Sequence, residues 1–447
     1  MKWRNLWIWA VVLAGLGGFV YFYEFRGEAK REQARQKAEK LFDVQKEAIT
    51  SITLQRGSEQ LLIDQQNGRW VIDSPVSTPA DQSAVNDIVR NVSSATTTHS
   101  LASARNLAEY GLQPPKIHAE FKTRPGASFS MDLGEKDFSE NNVYAKVSSR
   151  TEVVLLPTYL FSSMDKSLMQ LRDRKVMELN PEKVTQIEFV SKGDHLKVQK
   201  SGTEWKLTQP VSTRGDPTGI SAFLNDVSNS EASEFVDKPE ANLKSSELDP
   251  PAETLVITEG EGPQAKQWKL FLGAKKDDQV YAKREGSSSL FKVTSIVADK
   301  LRPAVFRLRD KRIIPVNAAD LQHVLIQLET GVYEFDREGL KDSKWKVVLP
   351  KNLTGKEARE WKFWLPLEEM KADEILDSPA SLTKTGLFFK PAERVTLVDR
   401  TNHQTEVRFS KVEKDSVWIR SSGSHSAFRL PSKKVGDWIA GLKEIVE

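Results

Sequence analysis

Two aspartates recur in matching surroundings, Asp81 at the end of WVIDSPVSTPAD and Asp216 at the end of WKLTQPVSTRGD. A pair of carboxylates can divide general acid and general base work. Each of these, however, stands just ahead of an apolar i, i+3, i+4, i+7 run, where a carboxylate caps the free N–H groups of a helix. They also lie 216 − 81 = 135 residues apart in separate segments, so the cap is favoured over catalysis. The six histidines, His99, His118, His195, His323, His403 and His425, are scattered singly, and no pair has metal-ligand spacing. The chain has no cysteine, which excludes disulfides, thiolate catalysis, Cys-ligated zinc and iron–sulfur clusters. The phosphate-binding loop G-x-x-x-x-G-K-[ST] is missing: Gly355-Lys356 is followed by Glu357 and lacks the earlier glycine. The dinucleotide fingerprint, H-E-x-x-H and G-x-S-x-G are missing too. These residues predict neither an enzyme nor a cofactor, and any coupled ATPase is expected on a separate subunit.

Three tryptophans are the remaining chemical candidates. Trp70, Trp205 and Trp345 each precede a proline by five residues, Pro75, Pro210 and Pro350. On alternating strands they read as core anchors, with stacking against a carbohydrate as the alternative. The basic clusters LRDRK (171–175) and RLRDKR (307–312) alternate with Asp, a pattern that suits ion pairing between units better than phosphate binding.

The elements that must position these residues repeat along the chain. The tryptophans are spaced 205 − 70 = 135 and 345 − 205 = 140 residues apart. GLQPP (111–115) is echoed by ELDPP (247–251), LGEKD (133–137) by LGAKK (272–276), and VYAK (143–146) by VYAK (280–283). Each copy opens with three alternating segments, such as ITSITL, QLLID and RWVID, divided by turn residues that include Asn67-Gly68. A helix follows, with Val85, Ile88, Val89 and Val92 in copy one and Ile220, Phe223, Leu224 and Val227 in copy two. Four more strands and a short closing helix complete the unit. The expected fold is therefore α+β, three tandem repeats of antiparallel β-meanders with two helices each. Their boundaries are residues 42–171, 172–308 and a divergent 309–447.

Ahead of them, residues 6–23 form an uncharged run of 18 with aromatics at both ends. At about 1.5 Å per residue it would span roughly 27 Å as a helix. Residues 1–25 are read as an uncleaved transmembrane anchor, because no small-x-small cleavage site follows, and residues 26–41 as a solvated helical stalk. The short basic N-tail favours a single-pass protein in the inner membrane with its C-terminal units periplasmic, although the count of flanking Lys and Arg points the other way. With 447 residues and a net charge of 65 − 62 = +3, the chain suits about three domains and no nucleic-acid partner.

Copy three departs from the plan. It has no Asp matching Asp81 or Asp216, and Pro366 interrupts its middle helix. Trp361, Phe363 and Trp364 fall within four residues there. One helical face cannot bury all three, so they are the candidate partner contact, with at least one ring exposed; the alternative is an irregular loop folded over its own core.

The ordered motifs resemble the bacterial domain-of-unknown-function 4340 (DUF4340) family: Trp70, Pro75, Val76, Pro79, Ala80 and Asp81, then Glu109 to Leu112, Pro114, Pro115, Leu133, Gly134, Tyr144 and Ala145. Copy one carries them best and copy three least. The resemblance implies a cell-envelope protein associated with the permease and ATPase subunits of gliding-motility-type ABC transporters, and no catalytic residues. The expected function is a non-enzymatic accessory or scaffold component of such a complex. The alternative is a glycan- or peptide-binding module.

Overall fold

A computed structural model describes residues 3–21, 39–101, 106–124, 126–237, 243–314, 316, 318–337, 339, 344–377, 392–422 and 424–446. Strands dominate them, in three large antiparallel sheets. The first is built from β1 (Ile49–Arg56), β2 (Glu59–Gln66), β3 (Arg69–Ser74), β4 (Thr78–Pro79), β5 (His99–Leu101), β6 (Ile117–Thr123), β7 (Ser128–Lys136), β8 (Asn142–Val147) and β9 (Val153–Pro157). Its hydrogen-bonding order is β4-β3-β2-β1-β6-β7-β8-β9-β5. Strict alternation explains the register. Ile52 and Leu54 point to the same buried face as Ile63, Leu61 and Ile72, while the residues between them face solvent. Asn67 and Gly68 both take positive φ, 51° and 80°, as a two-residue hairpin turn requires.

By its internal contacts the chain forms two compact units. The first holds Met1–Lys175 with Ala232–Asp237, and so the first sheet and the short strand β14 (Glu234–Val236). The second holds Val176–Glu231 and Lys238–Glu447. Its strands β10 (Val184–Ser191), β11 (Asp194–Ser201), β12 (Glu204–Gln209), β13 (Thr213–Arg214), β15 (Glu253–Glu259), β16 (Lys266–Lys276), β17 (Gln279–Arg284) and β18 (Leu290–Thr294) run in the order β13-β12-β11-β10-β15-β16-β17-β18. A further sheet of the second unit has β19 (Leu321–Leu328), β20 (Gly331–Asp336), β21 (Lys346–Leu349), β22 (Glu374–Leu376), β23 (Glu393–Asp399), β24 (Gln404–Phe409), β25 (Ser416–Ser421) and β26 (Ala427–Pro431), ordered β21-β20-β19-β23-β24-β25-β26-β22.

The three sheets share backbone details. The carbonyls of Trp70, Trp205 and Trp345 accept from Ala80, Gly215 and Ala358 over 3.1, 2.7 and 2.8 Å. The peptide bonds before Pro75, Pro210 and Pro350 are cis. The Leu-Gly motif marks a bulge in β7 and in β16. A Cβ on Gly134 would collide with the carbonyl of Tyr110, and one on Gly273 with that of Ser246, so only glycine fits.

Two expectations are corrected. The fold is not a transmembrane helix followed by α+β units, because the sheets dominate and helices such as Thr158–Met164 and Leu168–Leu171 are short. Among the described residues, moreover, no helix is long and apolar enough to cross a membrane. Within the described residues the N-terminal α-helix is Trp3–Val20. Its uncharged part from Leu6 is about 15 residues, roughly 22 Å against a hydrocarbon core of about 30 Å. The single-pass, inner-membrane reading falls with it, and so does the periplasmic placement that rested on it. The expected stalk lies almost wholly outside the described residues.

Candidate functional site

Asp81 and Asp216 both act locally. Asp81 Oδ1 accepts from the backbone N–H groups of Ser83 and Ala84 at 2.9 and 3.0 Å, at the start of the helix Gln82–Ser93. Asp216 accepts from Thr218 at 3.0 Å, at the start of Pro217–Ser228. The two helices bury Val85, Ile88, Val89 and Val92, and Ile220, Phe223, Leu224 and Val227. In each case the aspartate's own N–H bonds to the end of the closing segment, at Leu171 or Leu308, over 2.8 Å.

The third sheet has Arg359 in that place, its N–H donating to the Ile445 carbonyl over 2.7 Å. Counting from this shared bond, Phe363 stands where Val85 and Ile220 stand, and Pro366 where Ile88 and Phe223 stand. Proline has no N–H to carry the helical ladder, and the helix is split into Glu360–Phe363 and Leu365–Glu369. Phe363 stacks on Phe335 with ring centroids 3.9 Å apart and meets Trp345 edge-on at 5.5 Å. The Phe363 carbonyl accepts from Trp438 Nε1 at 2.9 Å.

The three aromatics therefore part company. Phe363 and Trp364 are fully buried, at 0% exposure, while Trp361 is 59% exposed beside the partly exposed Leu365. Lys362, between them, is tied to Glu444 at 2.6 Å. The result is one indole projecting from a short, pinned helix. Trp70, Trp205 and Trp345 are all buried, so none offers a ring face to a saccharide.

The junction clusters are ion-paired. Arg309, only 3% exposed, reaches Asp377 at 2.8 Å and Ser426 at 3.2 Å. In the first unit, Arg172 holds Asp237 at 2.7 Å. Arg312 binds Asp310 at 2.6 Å. Burial alone would raise the Asp310 carboxyl; the Arg312 hydrogen bonds and charge outweigh it and hold the group below its ordinary range.

Sequence reasoning missed the histidine partners. His118 meets Asp132 at 2.6 Å, His195 meets Glu188 at 2.8 Å and His323 meets Asp336 at 2.6 Å. Two of these pairs sit directly opposite across adjacent strands, where the hairpin register could have revealed them. Among the described residues, no group of three or more His, Asp or Glu side chains is placed to hold a metal ion.

No curated protein matches this chain. Among solved structures, a DnaN sliding clamp (DNA polymerase III subunit beta) from Pseudomonas aeruginosa, bound to griselimycin, aligns over 89% of this chain and 95% of its own. The identity is 10% and the TM-score 0.13, too low to carry anything over. The model of a domain of unknown function, DUF4340, matches twice, over residues 70–246 and 205–378. Those matches cover both the Trp70 and the Trp205 segments and run on through Trp345, and they place the chain in the DUF4340 family.

Proposed function

We propose that this protein is a non-enzymatic accessory or scaffold component that docks onto an ABC-type transporter assembly, meeting its permease and ATPase subunits. The class of partner comes from the family resemblance. The observation that carries a docking role is the exposed Trp361 on a helix whose other rings are locked into the core. An indole has only two side-chain torsions to fix on binding, and tryptophan is enriched among the residues that dominate interface energetics.

The test is recovery of partners with the tagged full chain, comparing Trp361→Ala with the native protein. Recovery of permease and ATPase should fall at least tenfold while the melting temperature stays within about a degree, since an exposed side chain contributes little to folding. Undiminished recovery with Trp361→Ala, or no such subunits with the native chain, would remove the proposal.

A further inference from the structure

On the solvent face of the second unit, one row of side chains runs straight across four strands. Thr258, Gln186, Gln199 and Lys206 stand directly opposite one another in register. They line a cleft of about 560 Å³ that also takes in Lys200 and the Gly260 turn, a size within the usual range for small-molecule sites. The sheet around β19 has a cleft of about 300 Å³ at the same place, lined by Gln322, His323, Asp336, Arg337 and Arg400. The equivalence is exact in backbone terms. Gly260 N–H donates to the Lys183 carbonyl just before β10, and Arg400 N–H donates to that of Asp320 just before β19. His323 pairs with Asp336 as Gln186 pairs with Gln199. The fold thus repeats a recess whose lining chemistry differs from sheet to sheet.

The larger recess carries an unspent set of polar groups. Gln199 Nε2 donates to Gln186 Oε1 at 2.9 Å, and Gln186 Nε2 donates to Glu188 at 3.4 Å. Glu188 is held in turn by His195. This chain orients the Gln199 amide and leaves its oxygen without a donor among the described residues. Thr258 Oγ1 is buried with no hydrogen-bond partner among the described residues. Among the described residues, neither Lys200 nor Lys206 pairs with a carboxylate; Lys200 lies only at 5.8 Å from the Trp205 ring. The lining holds these two lysines against one carboxylate, Glu261.

We propose that this cleft binds a carboxylated saccharide. An amide oxygen with no donor calls for a ligand hydroxyl; a fully deprotonated anion such as sulfate presents only acceptors, and phosphate offers at most one or two O–H groups where a sugar offers several around a ring. An unpaired ammonium across the hairpin calls for an anionic oxygen. A sugar acid carries both on one ring. The recess lies on a sheet face with its strands already paired on both sides, so an extended peptide cannot add to it as a strand. This site is distinct from the docking surface at Trp361, and either can fail alone.

The test is calorimetric titration of the full chain with trigalacturonate, with maltotriose and inorganic phosphate as comparison probes. Trigalacturonate should bind saturably with a Kd of about 1 mM or tighter, and at least tenfold more tightly than either comparison probe. Lys206→Gln and Gln199→Ala should each weaken it about fivefold or more with melting unchanged, while Lys411→Gln, on an exposed loop, should not. Absence of saturable binding overturns the proposal. Equal binding of phosphate reduces the cleft to an anion site, and equal binding of maltotriose removes the role of the lysine; either result defeats it. Full affinity in both Lys206→Gln and Gln199→Ala places the ligand elsewhere and defeats it too.

Discussion

The indole N–H of Trp70 donates to Oδ1 of Asn86 across 3.0 Å, and the third sheet has lost that bond. Asn86 lies five residues beyond Asp81, and the residue five beyond Arg359 is Trp364, which offers no acceptor. Among the described residues, the Nε1 groups of Trp345 and Trp364 are both buried without a partner. Filling the polar position with a second tryptophan adds apolar burial but orphans two donors.

Trp364→Phe should therefore cost far less than Trp364→Ala. The alanine variant loses a fully buried ring, about 3–5 kcal/mol. The phenylalanine variant keeps most of the packing and removes an unpaired donor, so about 1 kcal/mol or less is expected. Urea unfolding of the two variants decides it; equal losses would mean that Trp364 Nε1 has a partner.

In the first unit, Asn86→Ala should cost about 1 kcal/mol by stranding the Trp70 donor. Asn86 is itself exposed, so little else is lost. Trp70→Phe combined with Asn86→Ala should destabilise by less than the sum of the single changes. Strict additivity in the double-mutant cycle would show that the bond contributes nothing.

Asp81→Ala should cost about 1 kcal/mol as a lost N-cap, and Asp81→Asn only a few tenths. Asp216 does more, because Lys311 Nζ lies 3.5 Å from its other oxygen. Asp216→Asn should therefore cost more than Asp81→Asn. Matching melting temperatures for the two asparagine variants would contradict this.

Arg309→Met should be milder than Asp377→Asn. Removing the carboxylate leaves a buried guanidinium without its counter-ion. Because Asp377 is itself about a third exposed, a loss of about 2 kcal/mol is expected rather than the larger figure for fully buried pairs. Replacing the arginine by an apolar side chain of similar length removes the buried charge together with its cost. Chemical denaturation followed at both variants tests the ranking.

The Asp310 carboxyl sits below its ordinary value of 3.8 in the folded chain. A depressed carboxyl contributes stability that is complete above the unfolded value and is lost as pH falls through the folded one. Asp310→Asn should lower stability at pH 7 by about 1–2 kcal/mol. It should also flatten the decline of stability below about pH 4. A variant with an unchanged pH profile would show that Arg312 does not hold the carboxylate.

What the sequence alone determined is local or periodic. The Trp70–Trp205–Trp345 spacing, the alternation along ITSITL and QLLID, the Asn67-Gly68 turn and the Asp81 and Asp216 caps each depend on residues a few positions apart, whose geometry follows from backbone sterics and short hydrogen bonds. How much of the chain is sheet rather than helix, and which of Trp361, Phe363 and Trp364 faces solvent, were decided by tertiary structure. Phe363 is buried because Phe335 on β20 and Trp345 just ahead of β21 close over it, and no helical periodicity encodes that. The row from Thr258 to Lys206 and the pairing of Arg309 with Asp377 join residues tens of positions apart. Such contacts exist only once sheet register and chain closure have brought the strands together, because side-chain energies beyond the nearest turns act only after folding makes neighbours of them.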